Sequence, residues 1–210
     1  MLTAILLGVA LGIRHAADPD HVAAIAALVA RHRRVGVAAG IGAAWGLGHS
    51  LTILLVGGAL VALRIAVEPR WTFAAEALVA GILVALGVAN LRSSARAHAA
   101  VARDAHHPSL GSSALRGFAI GLAHGLGGSA AVALLALAAM PTTAAGIVYL
   151  AVFGLGTVGG MVGLSLGLGF PLVRASRTPS LSRWVLGGSG AVSVGVGLYL
   201  AYNVGSAALL

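Results

Sequence analysis

Six stretches of the chain are apolar at nearly every position, and short polar or charged segments separate them. They run from Leu2 to Ala30, Val37 to Leu63, Thr72 to Leu91, Ala114 to Met140, Ala144 to Val173 and Trp184 to Ala207. Each meets or exceeds the roughly 20 residues that a helix needs to cross a bilayer. A helix apolar on all sides has no solvated face to offer, so each stretch is expected to be a transmembrane helix. The expected fold class is an all-α polytopic membrane protein with six spans. Its connections are Arg31-His32-Arg33-Arg34, residues 64–71, residues 92–113, Pro141-Thr142-Thr143 and residues 174–183.

Charge orients this pattern. With six spans, one side receives Arg31, Arg33, Arg34, Arg92, Arg96, Arg103, Arg116, Arg174, Arg177 and Arg183, whereas the other receives Arg64 and Arg70. Arginine accumulates on the cytoplasmic side of a membrane protein. The expected location is therefore the cytoplasmic (inner) membrane, multi-pass, with both termini outside. The start of the chain lacks the basic segment of a signal peptide. Leu2 to Ile13 is too short to span alone, at about 18 Å of helix against a hydrocarbon core of about 30 Å. The first span must therefore continue to Ala30, which carries Arg14-His15-Ala16-Ala17-Asp18-Pro19-Asp20-His21 close to mid-membrane.

Ionisable groups at that depth cost roughly 2.5 to 3.5 kcal/mol for each Asp or Arg, so the cluster is a functional site by default. On an ideal helix Asp18 and His21 lie to the same side as His15, and Asp20 falls on the far face unless the backbone turns it. Pro19 lacks an N–H for the carbonyl of His15 and is expected to kink the helix there. Arg14 and Asp18 have the spacing of an internal ion pair. Imidazole and carboxylate together suit borderline divalent metals, and without cysteine thiolate ligation and disulfides are excluded. The alternative is a packing network in which Arg14, Asp18 and Asp20 neutralise one another. His49, central in the second span, is a further candidate ligand at similar depth, and His124 is another. Asn90, Asn203 and Glu76 sit near span ends and receive no role. His98, Asp104, His106 and His107 read as scattered residues of a solvated loop.

The chain repeats itself. Gly12-Ile13-Arg14-His15 returns as Gly121-Leu122-Ala123-His124, and Trp45-Gly46-Leu47-Gly48-His49 returns as Phe153-Gly154-Leu155-Gly156-Thr157, at offsets that agree to within one residue. Three spans per copy force the second copy to enter from the opposite face. The organisation expected is residues 1–91 as a first three-helix repeat, 92–113 as a cytoplasmic loop and 114–210 as a second repeat of inverted topology, an architecture of secondary transporters. The second copy carries no acid where the first has Asp18 and Asp20, so the site is expected to be built mainly from the first half.

Composition supports the class: 59% of the 210 residues are hydrophobic and 9% charged, and the mean hydropathy is +1.00. The net charge of +8 resides in short loops, which fits membrane topology better than a nucleic-acid partner. No His-Glu-x-x-His helix, Ser-His-acid set or phosphate loop is present, which argues against an enzyme.

Residues 14–21 resemble the His-x4-Asp-His signature of the nickel/cobalt transporter family, and Leu47-Gly48-His49-Ser50 is similar to that family's second-helix motif. The resemblance covers roughly residues 8–60. It implies that His15, Asp20, His21 and His49 recognise metal with Asp18 beside them, and that Ni²⁺ or Co²⁺ is the ion moved. Larger members have eight helices and acidic second-half motifs that this chain lacks, so it resembles a small, urease-accessory-like member. The function expected is a secondary transporter that carries a divalent transition metal through a midplane site of His15, Asp18, Asp20, His21, His49 and His124, uptake being favoured over efflux. The alternative is a non-transporting membrane accessory or sensor protein for maturation of a urease-type metalloenzyme. The partners expected are the lipid bilayer and the metal substrate, with a maturation protein or a homo-oligomer compatible with either reading. No resident cofactor is expected.

Overall fold

The computed structural model describes residues 2–32, 34–65, 67–99, 110–140, 142–175 and 178–208, and all regular structure among them is helical. The helices are α1 (Leu2–Ala16), α2 (Pro19–Val29), α3 (Val35–Thr52), α4 (Gly58–Leu63), α5 (Pro69–Ala99), α6 (Leu110–Ala139), α7 (Thr143–Ala175) and α8 (Pro179–Ala207). A π-helical turn, Ile53–Gly57, joins α3 to α4 without a break. Val35–Leu63, Pro69–Arg96, Thr143–Ala175 and Ser180–Ala207 are long and apolar enough to cross a membrane, and Ile5–Ala16 and Pro19–Val29 are shorter apolar helices. Their outward faces are apolar too, with Leu155, Phe170 and Leu6 all more than half exposed. Such a surface is stable in lipid, where the backbone is satisfied inside each helix. The chain is a membrane protein.

The first stretch departs from the expectation of one kinked helix. Proline pushes the residue before it out of the helical region, and Asp18 accordingly is extended at φ −62° and ψ 146°. Pro19 then opens α2 at a position where a missing N–H is no loss. The carbonyl of His15 is not freed: it accepts the Asp18 N–H at 3.1 Å, as Arg14 does that of Ala17 at 2.9 Å. Pro19 therefore divides the helix instead of bending it. At the other boundary, α5 runs on to Ala99 because Ala and Arg near its end are strong helix formers. The segment read as a loop from 92 is thus helical at its start and includes His98. Asp104, His106 and His107 lie outside the described residues.

Glycines set how the helices meet. Gly12 lies against the backbone of Phe153 and Thr157, Gly156 against Val9, Gly121 against Trp45, and Gly48 against Phe118. In each case an added Cβ would fall 2.1 to 2.4 Å from a carbonyl oxygen, so only glycine permits the approach, the usual means by which membrane helices pack closely. The contacts advance in step along α1 with α7 and along α3 with α6, so those pairs run parallel. They advance in opposite senses along α5 with α8, where Gly87 meets Gly190, and along α3 with α7, where Gly46 meets Val158 and Gly154 meets Ser50. Trp45, Ile25, Leu83 and Met161 fill the shared interior, with Leu150 and Phe153 in a neighbouring core.

Candidate metal centre

The break between α1 and α2 explains the site. On a continuous helix Asp20 faces away, but the extended backbone at Asp18 resets the phase and turns Asp20 inward together with His21. His49 arrives from the last turn of α3 and His124 from the middle of α6. All four of His15, His21, His49 and His124 meet, with His21 ring centres 4.7 Å from both His15 and His124 and 5.0 Å from His49. His49 and His124 are fully buried, and His21 nearly so.

Two carboxylates fix the orientation of three of the rings. His15 Nδ1–H donates to Asp18 Oδ2 at 2.9 Å and His21 Nδ1–H donates to Asp20 Oδ1 at 3.0 Å. His124 Nε2–H donates to the other oxygen of Asp20 at 2.9 Å. With its Nδ1 protonated, neutral His15 presents an Nε2 lone pair, which faces His49 Nε2 at 3.0 Å. His21 Nε2, His49 Nδ1 and His124 Nδ1 are buried without a hydrogen-bond partner. Unpartnered buried polar atoms are costly and normally few, and three on converging imidazoles mark a place prepared for something that accepts nitrogen lone pairs.

Two sets of ligand atoms lie close enough to hold a metal ion: His15, His21 and His49, and Asp20, His21 and His124. His21 belongs to both. The structure thus assembles His15, Asp20, His21, His49 and His124. Asp18 stays at the edge, its side chain 47% exposed and bonded to His15, the position of a carboxylate that orients a ligating imidazole. The expected Arg14–Asp18 ion pair is absent. Arg14 is exposed, and the break carries Asp18 to His15 instead.

Four of the five residues of these sets come from the first half of the chain, and His124 is the member that the second half brings. Trp45 lies 5.4 Å from His124, as Phe153 does from His15. The sequence repeat aligns Trp45 with Phe153 and His15 with His124, so each stretch supplies one of these ring pairs, whereas His21, His49 and both acids have no counterpart in the second half.

Beside the cluster is a cavity of about 300 Å³, lined in addition by Glu76 and Val79 of α5, Gly127 and Gly128 of α6, and Leu200 of α8. Glu76 went unassigned in the sequence because its place near a span end suited snorkelling. Its signal was legible all the same: it is an acid within an apolar segment, about 10 Å along α5 from Pro69 at 1.5 Å per residue. Asn90, also unassigned, is fully buried. It donates to the Ala27 carbonyl at 2.8 Å and to Ser189 Oγ at 3.1 Å, and accepts from Arg31. That network joins α2, α5 and α8 at the end of the bundle opposite the cavity. Asn203 is exposed, and its carbonyl accepts from Ser206.

The chain is 31% identical over 212 residues to the urease accessory protein UreH of Bacillus sp. (strain TB-90), an alignment taking in 98% of this chain and 93% of the relative. The chain belongs to the UreH family. This UreH-type membership is the small, urease-accessory-like form of the nickel/cobalt transporter resemblance carried by the His-x4-Asp-His motif. No protein-family model and no solved structure matches the chain.

Proposed function

We propose that this UreH-family protein is a secondary transporter of a divalent transition metal, Ni²⁺ or Co²⁺, which it binds at the His15, His21, His49, His124 and Asp20 cluster. The observation that carries the reading is a cluster of four histidine rings in which His21, His49 and His124 each keep a buried nitrogen without a partner, and whose ligand atoms form two sets close enough to hold an ion. Nitrogen–metal bonds of about 2.0 to 2.1 Å fit between such atoms after a small contraction. Asp18 and Asp20 act chiefly by fixing tautomer and orientation, with Asp20 also able to ligate.

The proposed architecture is six spans in two inverted repeats. Helix pairing supports it: exchange of α1–α2 with α6, of α3–α4 with α7 and of α5 with α8 carries the pairs α1·α7 and α3·α6 into one another and returns α3·α7 and α5·α8 to themselves. The glycine contacts obey the same exchange, since Gly12 on Phe153 mirrors Gly121 on Trp45, and Gly48 on Phe118 mirrors Gly156 on Val9. A midplane site at the junction of two such halves is the arrangement from which alternating access is built. With the arginine-rich loops inside, an inside-negative potential favours entry of a dication by about 4.6 kcal/mol per 100 mV, so uptake needs no coupling ion.

The second reading, favoured by the printed name of the Bacillus relative, is an accessory protein that holds metal for urease maturation without moving it. Proteoliposomes containing this protein alone decide between the two. Saturable Ni²⁺ entry that disappears in His21→Ala is expected. Saturable binding without entry would establish the accessory reading.

A further inference from the structure

Glu76 is the one acid in the apolar part of the chain that the metal cluster does not use. The protein has five Asp and Glu residues in all, and Asp18, Asp20 and Glu76 line the same cavity. Among the described residues Glu76 forms no hydrogen bond or ion pair, although it is half-buried in α5. An unpaired carboxylate in that setting is expensive, and a charge kept at such a cost marks an ion pathway. The cavity provides one. Its other walls, Val79, Gly127, Gly128 and Leu200, lie toward the end of the bundle where α5 begins and α8 finishes. At the opposite end Arg31, Asn90 and Ser189 are joined by hydrogen bonds. Gly128 approaches His15 so closely that an added Cβ would stand 3.6 Å from its ring, so the cavity reaches the imidazoles with no side chain between.

We propose that Glu76 is a receiving carboxylate: it draws a hydrated divalent cation into the cavity from the α5 N-terminal side and hands it to the His15, His21 and His49 nitrogens. This rests on the metal-binding reading above. Oxygen ligands suit an ion that still carries water, and imidazoles suit one that has lost it. The device exists on one face only. The offset that relates Gly87 to Gly190 in the α5–α8 contact carries Glu76 onto Pro179, so the mirrored path has no carboxylate and captures cations less well. A low-dielectric cleft lined by one sign of charge concentrates counter-ions and raises their on-rate by roughly 10 to 1,000-fold at low salt.

The test compares wild type, Glu76→Gln and Glu76→Asp in proteoliposomes supplied with Ni²⁺, at low and high ionic strength, beside Co²⁺ absorption spectra of the same proteins in detergent. Glu76→Gln is expected to raise the half-saturating Ni²⁺ concentration about tenfold at low salt, with a difference that shrinks at high salt. The maximal rate and the Co²⁺ spectrum should stay as in wild type, and Glu76→Asp should restore capture. Unchanged half-saturation in Glu76→Gln would overturn the proposal, as would an altered Co²⁺ spectrum, which would make Glu76 part of the cluster itself. Glu76→Asp behaving like Glu76→Gln would also overturn it. Wild-type protein that binds neither metal would instead overturn the metal reading on which the proposal stands.

Discussion

Asp20→Asn changes one oxygen for an NH₂ group at the centre of the site, and its cost follows from the hydrogen bonds. Asp20 accepts from His21 Nδ1–H and His124 Nε2–H, one on each oxygen, at 3.0 and 2.9 Å. Asparagine has one acceptor oxygen, so one ring N–H must face an NH₂ donor. The ring then loses its partner or flips tautomer, which removes its lone pair from the metal side. His21 and His124 side chains are 3% and 1% exposed, so water does not fill the gap. A hydrogen bond to a charged group is worth about 1.5 to 3 kcal/mol, which corresponds to about 10 to 100-fold in metal affinity. Asp18→Asn is the control: it holds one ring and is 47% exposed, so solvent substitutes and a loss of about threefold is expected. Competition isotherms for Ni²⁺ on the detergent-solubilised proteins measure both. Asp20→Asn within about twofold of wild type, or Asp18→Asn the more damaging of the two, would refute the reasoning.

His124→Ala should weaken Ni²⁺ binding measurably while leaving His15, His21 and His49 able to bind, whereas His21→Ala, which removes a ligand common to both sets, should abolish it; the same isotherms rank them. Gly12→Ala and Gly121→Ala each drive a Cβ to 2.1 or 2.2 Å from a backbone oxygen, and thermal unfolding in detergent should show losses of at least about 1 to 3 kcal/mol. Gly159→Ala, with nothing within 4 Å, should leave the unfolding midpoint unchanged or slightly raised. Asn90→Leu removes the bonds to Ala27, Ser189 and Arg31, so hydrogen exchange at the ends of α2 and α5 should quicken, with Ni²⁺ affinity little altered.

The chemistry of the site was readable in the chain because the bilayer makes it so. An ionisable residue deep in a long apolar stretch is costly, and that singled out His15, Asp18, Asp20, His21 and His49 against the alternative of a packing network. Helical class and the approximate ends of the helices follow from the same economy, since each apolar run must satisfy its backbone internally. What the linear pattern could not supply is phase across the break. Helical projection assumes 100° per residue, and one extended residue at Asp18 cancels that assumption, turning Asp20 inward and separating Arg14 from its expected partner. Nor could it supply partners distant in sequence. His124 lacked neighbouring acids and looked weak until α6 set it against Asp20 from the other half, and Glu76 and Asn90 resembled interfacial residues until packing gave one a cavity wall and the other a buried network. The sequence by itself determined a helical membrane protein and picked out a cluster of histidines and aspartates within its first apolar stretch. Tertiary structure decided which groups face that centre, because convergence depends on glycine-permitted contacts between helices that no local rule encodes.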